Sequence, residues 1–234
     1  MTNIARNIEA VLQRIHVACE KSGRPVEAVA LLAVTKTVSP DAIREAIAAG
    51  QRDFGENYIA EGIEKITALQ AETDQFGLQW HCIGPVQSNK TRLVAEHFDW
   101  VHSIDRLKTA QRLNDQRPPD AQALQVCIQV NIDGGPTKSG VAPAEVLALA
   151  QEIVKLPRLK LRGLMTIPEP IADATDLIAA RAIHTPARVL FEALNDRGFG
   201  LDTLSIGMSA DLEPAIYAGS TMVRVGTAIF GRRA

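Results

Sequence analysis

The sequence predicts an α/β fold, a single (β/α)8 barrel of the TIM type with an extra helix at its N-terminal end. Apolar, β-branched runs alternate with helix-period segments along the whole chain, the pattern of a parallel α/β fold. Eight such runs can be counted, the number that closes a barrel. No Pro/Gly/Ser-rich linker, low-complexity segment or internal repeat divides the 234 residues, a length that one domain spanning 1–234 accommodates. An open doubly wound sheet is the alternative arrangement of the same elements.

In chain order, Ile4, Ile8, Val11, Leu12 and Ile15 fall on one face of a leading helix. Val29 to Val34 is unbroken apolar, as suits a strand covered on both faces, and the strand ends at Lys36. Ser39-Pro40 reads as an N-cap followed by Pro at the first helical position, and Gly50 stops that helix. Asp53 to Asn57 is a short second strand and its loop, followed by a helix through Ile66 and Leu69. Trp80 to Gly84 is the third strand, with a helix from near Ser88, and Trp100 to Ile104 the fourth, with a helix to about Asn114. Leu124 to Ile132 reads as the fifth and longest strand. Pro143 opens the next helix and Pro157 closes it. Leu161 to Ile167 is the sixth strand, with a helix from about Asp173 to Asn195. Leu204 to Ile206 and Met222 to Val225 supply the last two strands.

Composition narrows the function classes. Net charge is −2 and no basic block occurs, which argues against nucleic acid or an anionic membrane surface as partner. No apolar run approaches a transmembrane span, and the N-terminus lacks the apolar core of a signal peptide. Cys19, Cys82 and Cys127 are odd in number and lack metal-ligand spacing, so they read as reduced structural thiols and no metal site is expected. The expected setting is a cytoplasmic monomer.

The chemistry starts at Lys36. In a parallel barrel the C-terminal strand ends form the ligand face, and a lysine sheltered there has its pKa drawn down towards a nucleophilic form that can make a Schiff base with a carbonyl. A lysine that merely snorkels to water is the plainer reading. Two later turns share a composition: Ser205-Ile206-Gly207-Met208-Ser209 leaves strand seven, and Arg224-Val225-Gly226-Thr227 leaves strand eight. Each pairs glycine with a hydroxyl residue at the place where barrels commonly hold phosphate, although ordinary βα turns also use glycine and serine. Arg224 is a charge inside an apolar strand and needs an acceptor, from a ligand or from an ion pair. Pyridoxal 5′-phosphate accounts for all of them together: a phosphate for the turns, an aldehyde for Lys36, and a ring nitrogen that can accept from Arg224.

Longer motifs then point to a family. Ala33-Val34-Thr35-Lys36-Thr37, Phe54-Gly55-Glu56-Asn57-Tyr58, and the run from Trp80 to Lys90 all carry the likeness. So do Lys138-Ser139-Gly140, Leu161 to Met165, Ser205 to Ser209, and Gly219 to Gly226. Over nearly its whole length the chain resembles the pyridoxal-phosphate homeostasis proteins. The resemblance implies a barrel like the N-terminal domain of alanine racemase, of fold-type III, with pyridoxal 5′-phosphate held as an aldimine on Lys36. It also implies phosphate contacts from Ser205, Gly207, Met208, Ser209, Gly226 and Thr227, Arg224 at the ring nitrogen, and Asn57 near the cofactor. Val86 stands where leucine is common in the family, and Asp133 to Thr137 forms a variable loop.

The same likeness implies a carrier that buffers the cofactor and supplies it to apo pyridoxal-phosphate enzymes, with no catalytic residue of its own. A two-base racemase needs a second proton donor opposite the lysine, which alanine racemases take from a C-terminal domain. Here the chain is expected to lack that domain. Ile167 stands where those enzymes place a histidine, and Tyr58 and Tyr217 read as surface or packing residues. A weak amino-acid racemase and a Schiff-base aldolase on a phosphorylated substrate are the alternatives. His81, Trp80, Trp100 and His102 read as core residues, and Lys90 and Lys138 as loop lysines.

Overall fold

A computed structural model of the chain describes residues 2–135, 138–169 and 177–231. Eight parallel strands close on themselves in sequence order, β1 (Ala30–Val34), β2 (Asp53–Glu56), β3 (Gln79–Cys82), β4 (Trp100–Ile104), β5 (Leu124–Gln129), β6 (Leu159–Met165), β7 (Thr203–Met208) and β8 (Met222–Val225). The closed barrel is the expected arrangement, and the open-sheet alternative is not the one adopted. Closure is made by β1 against β8, with Leu32 opposite Arg224 and Ala33 opposite Val225.

Helices cover the outside: α1 (Asn3–Lys21), α2 (Pro40–Ala48), α3 (Ile59–Ala68), α4 (Gln70–Phe76), α5 (Thr91–His97), α6 (Leu107–Gln116), α7 (Val146–Ile153), α8 (Leu177–Ala182), α9 (Thr185–Asn195), α10 (Leu212–Tyr217) and α11 (Thr227–Phe230). Ser39 caps α2 as its sequence position suggests, its hydroxyl accepting from the Ala42 N–H, with Pro40 opening the helix. In α1, Ile8, Val11 and Ile15 are buried, whereas Leu12 is half exposed and Ala18 and Cys19 complete the inner face. Periodicity alone had placed Leu12 inside.

Several boundaries differ from the sequence reading. The first strand stops at Val34, so Thr35 and Lys36 belong to the turn that follows. The longest strand is β6, not β5, because beyond Gln129 the chain leaves the ladder and keeps only a bridge from Val130 to Val141. Pro157 does not end α7, which has already stopped at Ile153. The expected helix to Asn195 is broken around His184 into α8 and α9, and its expected start near Asp173 lies outside the described residues. Helix α4 was not anticipated, since its residues carry no apolar stripe and none is buried.

The main core fills the layer between sheet and helices, with Phe54, Trp80, Phe98 and Leu113 among its fully buried side chains. A smaller cluster of Trp100, Cys127 and Met165 is separate from it, and the His81 ring stacks on Trp100 at 5.1 Å. All three cysteines are buried and free, as expected, and burial pushes the Cys82 and Cys127 thiols up to about 12. Among the described residues no helix is long and apolar enough to cross a membrane, and no group of side chains could hold a metal ion.

Candidate functional site

A cavity of about 640 Å³ opens at the C-terminal ends of the strands, within the roughly 300–1,000 Å³ usual for small-molecule sites. Its lining brings together Lys36, Asn57, Met208, Ser209, Arg224, Gly226 and Thr227, residues that are up to 191 positions apart in sequence (227 − 36). Val34, Ile83 and Ile167 supply apolar wall.

Lys36 is half buried on the turn between β1 and α2. The next residue, Thr37, has φ of 61°, a left-handed conformation that is costly for a β-branched side chain. What holds this turn is a group of charges that the sequence reading missed. Lys65, buried on α3, donates to the Thr35 carbonyl at 2.5 Å, to Glu56 Oε1 at 2.8 Å and to Glu61 Oε1 at 2.6 Å. Its ammonium has three protons, and three acceptors meet them. Glu61 Oε1 also accepts from the Thr37 N–H at 2.5 Å, and Glu56 Oε1 from the Thr35 hydroxyl at 2.6 Å. The main chain is therefore gripped on both sides of Lys36. Burial pushes the Glu56 carboxyl up despite these bonds, and its Oε2 has no partner among the described residues. The one available sequence signal was a glutamate–lysine pair at i, i+4, Glu61 and Lys65, but that spacing is far more often an exposed surface pair.

Asn57 follows β2, and its buried Oδ1 lacks a hydrogen-bond partner among the described residues. Gly84, after β3, lies against it so closely that a Cβ there would stand 2.0 Å from the Asn57 carbonyl oxygen. The glycine thus lets the β3 end press on the Asn57 backbone and fix its place at the cavity.

Arg224 sits inside the barrel on β8, 4% exposed. One terminal nitrogen donates to the Ser205 carbonyl at 2.6 Å and to the Ser205 hydroxyl at 2.7 Å, the other to the Thr166 carbonyl at 2.9 Å. Burial lowers its pKa to about 10, which leaves it a cation at neutral pH. Ser205, expected at the phosphate, does not line the cavity. It lies within β7, fully buried, and holds Arg224 from below. Gly207 likewise does not line the cavity; with φ of 90° it turns the chain, and a Cβ there would be 2.4 Å from the Ala215 side chain. The part of this segment that reaches the cavity is Met208-Ser209-Ala210. The register of β7 against β8 shifts between Ser205 and Met208, an irregularity that sequence does not announce.

Asp211 fixes that turn: its Oδ1 accepts from the Met208 N–H at 2.7 Å, and its Oδ2 lies 2.9 Å from His184 Nε2. Helix α1 closes the same side. Arg14 pairs with Glu213 at 2.7 Å and donates to the Ser209 carbonyl at 3.2 Å, and Asn7 donates to the Ile229 carbonyl at 2.8 Å. Ile4 reaches the cavity itself.

Other singled-out residues fall elsewhere. Tyr58 is exposed and Tyr217 packs against the core from α10; neither lines the cavity. Ile167 does line it. Lys138 pairs with Asp133 at 2.6 Å and Glu169 at 3.1 Å, and Lys90 precedes α5; both lie outside the lining. His81 and His102 are buried, as expected of core residues, but both are hydrogen bonded.

The alanine racemase N-terminal domain family matches residues 4–234, which defines the class of this barrel. An alanine racemase from Clostridium difficile superposes with a TM-score of 0.68 at 19% identity, over 95% of this chain and 56% of its own, and shows the same fold. A pyridoxal phosphate homeostasis protein from Pseudomonas aeruginosa is 54% identical over 100% of this chain and 97% of its own length. PipY from Synechococcus elongatus, solved with pyridoxal phosphate bound, is 36% identical with a TM-score of 0.80, covering 97% of this chain and 100% of its own. The chain belongs to the pyridoxal phosphate homeostasis protein family.

Proposed function

We propose that this protein binds pyridoxal 5′-phosphate in the cavity at the C-terminal strand ends and serves to hold it and hand it on. The carrying observation is that Lys36, Asn57, Arg224 and the hydroxyls of Ser209 and Thr227 share one lining. The group fits these residues. The buried Asn57 Oδ1, without a partner among the described residues, marks a polar position that a ligand would satisfy, Arg224 supplies a fixed cation, and Gly226 leaves room for backbone to approach. When bound, the cofactor supplies an aldehyde for covalent linkage to an amine. In this reading Lys36 Nζ takes that linkage, Asn57 contacts the ring, and Arg224 donates towards the ring nitrogen. Ser209, Met208, Gly226 and Thr227 surround the phosphate, while Ser205 and Gly207 act on the site from behind.

A carrier role, with no efficient turnover of its own, is supported by the composition of the wall. Removal of an α-proton needs a positioned acid or base besides the lysine, and an arginine at the ring nitrogen weakens the ring as an electron sink. Among the described lining residues the groups facing the cavity are hydroxyls, an amide, Lys36 and Arg224, with Ile83 and Ile167 in the wall. The cofactor would then be passed to apo pyridoxal-phosphate enzymes by displacement from Lys36. The deciding experiment loads the protein with pyridoxal phosphate and follows two signals: transfer to an apo-enzyme, and α-deuterium exchange of several amino acids. Transfer without exchange is expected. Exchange at about 1–1,000 per second, the usual range for enzymes, would make the protein a racemase and refute the carrier reading.

A further inference from the structure

A line of hydrogen-bonded polar side chains crosses the barrel beneath the cavity. It starts at Arg224 on β8 and passes to the Ser205 hydroxyl on β7 at 2.7 Å. From there it continues to His102 Nδ1 on β4 at 3.0 Å, and from His102 Nε2 to His81 Nδ1 on β3, again at 3.0 Å. It ends where His81 Nε2 meets Asp53 Oδ1 on β2, at 3.2 Å. Ser205, His102 and His81 are fully buried, whereas the Asp53 side chain is 34% exposed. Asp53 lies at the opposite mouth of the barrel, in a second cavity of about 770 Å³ that Asp99, Trp100, Arg117 and Arg162 also line.

With both histidine rings neutral, the two ends fix the sense of every bond between them. A guanidinium can only donate, and an ionised carboxylate can only accept. Starting from Asp53, His81 must donate through Nε2, so a neutral His81 has a bare Nδ1 that accepts from His102 Nε2–H. A neutral His102 then has a bare Nδ1, which accepts the Ser205 hydroxyl proton. The Ser205 oxygen in turn accepts from Arg224, which is the sense that the cation requires. With both rings neutral, as the relay requires, each carries its proton on Nε2. The buried position of His102, beside His81 and Arg224, holds its pKa well below the usual histidine value, in keeping with a neutral ring.

We infer that Asp53, His81, His102 and Ser205 form a positioning relay for Arg224, through which the far mouth of the barrel sets the orientation of the cation in the cofactor cavity. The inference deepens the cofactor-binding reading and rests on it for its consequence, but the relay itself is a property of the protein without ligand. An apolar barrel interior would leave Arg224 with carbonyl partners alone. A relay that ends in a carboxylate gives the cation a directed partner instead, because a chain of bonds of one sense is polarised along its length.

The test begins on cofactor-free protein labelled with 15N in its histidine rings, using two-bond 1H–15N correlations at neutral pH. Both His81 and His102 are expected as neutral Nε2–H tautomers. An Nδ1–H tautomer or an imidazolium at either ring would overturn the relay whether or not pyridoxal phosphate binds. Asp53→Ala should then give mixed tautomers at His81 and His102, and in loaded protein should shift the visible band of the bound cofactor. Asp53→Asn retains an accepting oxygen and should restore the wild-type tautomers. If Asp53→Ala lowers the melting temperature while leaving both tautomers and the band unchanged, Asp53 is merely structural. Absence of any borohydride-fixed cofactor in the wild-type protein would instead overturn the binding reading and leave the tautomer result standing.

Discussion

The buried ammonium of Lys65 donates to the main-chain carbonyl of Thr35 at 2.5 Å, so the residue before Lys36 is held by a cation that is not part of the cavity lining. On the other side of Lys36, the Thr37 N–H reaches the same cation through Glu61. A left-handed threonine persists only where its surroundings over-determine it, and here two carboxylates and one ammonium do so.

Lys65→Met should therefore destabilise the protein by about 3–5 kcal/mol, the cost of leaving a buried charge without its partner. Adding Glu56→Gln to that variant should recover part of the loss, since the two positions share one network. Urea unfolding of the two single variants and the double variant measures both effects. An unchanged midpoint for Lys65→Met would show that the clamp contributes nothing.

Lys36→Ala should abolish borohydride-fixed pyridoxal phosphate and leave the melting temperature within a few degrees of wild type, because the side chain is only half buried and its turn is held by neighbours. A peptide map of reduced wild-type protein checks the assignment. An adduct on Lys90 or Lys138 would move the linkage elsewhere.

Ser209→Ala and Thr227→Ala should each weaken pyridoxal phosphate binding by about tenfold or more, on the basis of about 1.5–3 kcal/mol for a hydrogen bond to a charged group. Pyridoxal, which lacks the phosphate, should lose little. Ser205→Ala should behave differently and weaken both ligands alike, since Ser205 meets Arg224 and is absent from the cavity lining. Isothermal titration with the two ligands separates these outcomes.

Acid should loosen the turn after β7. Burial alone would raise the Asp211 carboxyl, but hydrogen bonds from His184 and the Met208 N–H outweigh it and hold the group below its ordinary value. A carboxylate whose pKa is depressed on folding adds stability above its unfolded value, about 3.9, and that stability is lost as pH falls through the folded value. Asp211→Asn should melt below wild type at neutral pH, and the gap should close as pH falls below about 4. A gap that stays constant with pH would refute the assignment.

Much of this molecule was legible in its sequence, and the reasons are physical. Strand order followed from unbroken apolar runs such as Leu31 to Val34, which only a sheet covered on both faces can absorb. Ser39-Pro40 located the start of α2 because cap and proline chemistry is local. Lys36 and Arg224 stood out as charges set against apolar strands. What could not be read depends on distant partners. In the sequence Ser205 reads as a phosphate contact in strand seven, and only the closed barrel shows it hydrogen bonded to Arg224. Lys65 looked like one half of a surface i, i+4 pair, and only the fold brings Glu56 and the Thr35 carbonyl to it. His81 and His102 gave no sign that they would meet, since pairing across strands leaves no spacing signature within a single chain segment.

The pairing of β1 with β8 has a consequence for when the site comes into being. Leu32 sits opposite Arg224 and Ala33 opposite Val225, so Lys36 acquires its neighbours Arg224, Gly226 and Thr227 only when the final strand docks against the first. A nascent or truncated chain that still lacks β8 has an amine but no cradle. Any ligand of the cavity therefore binds across the seam of the barrel and favours the sealed form by mass action. Occupancy thus reports that the barrel has been shut, and partial unfolding that begins by peeling β8 away would release the ligand before the rest of the barrel opens.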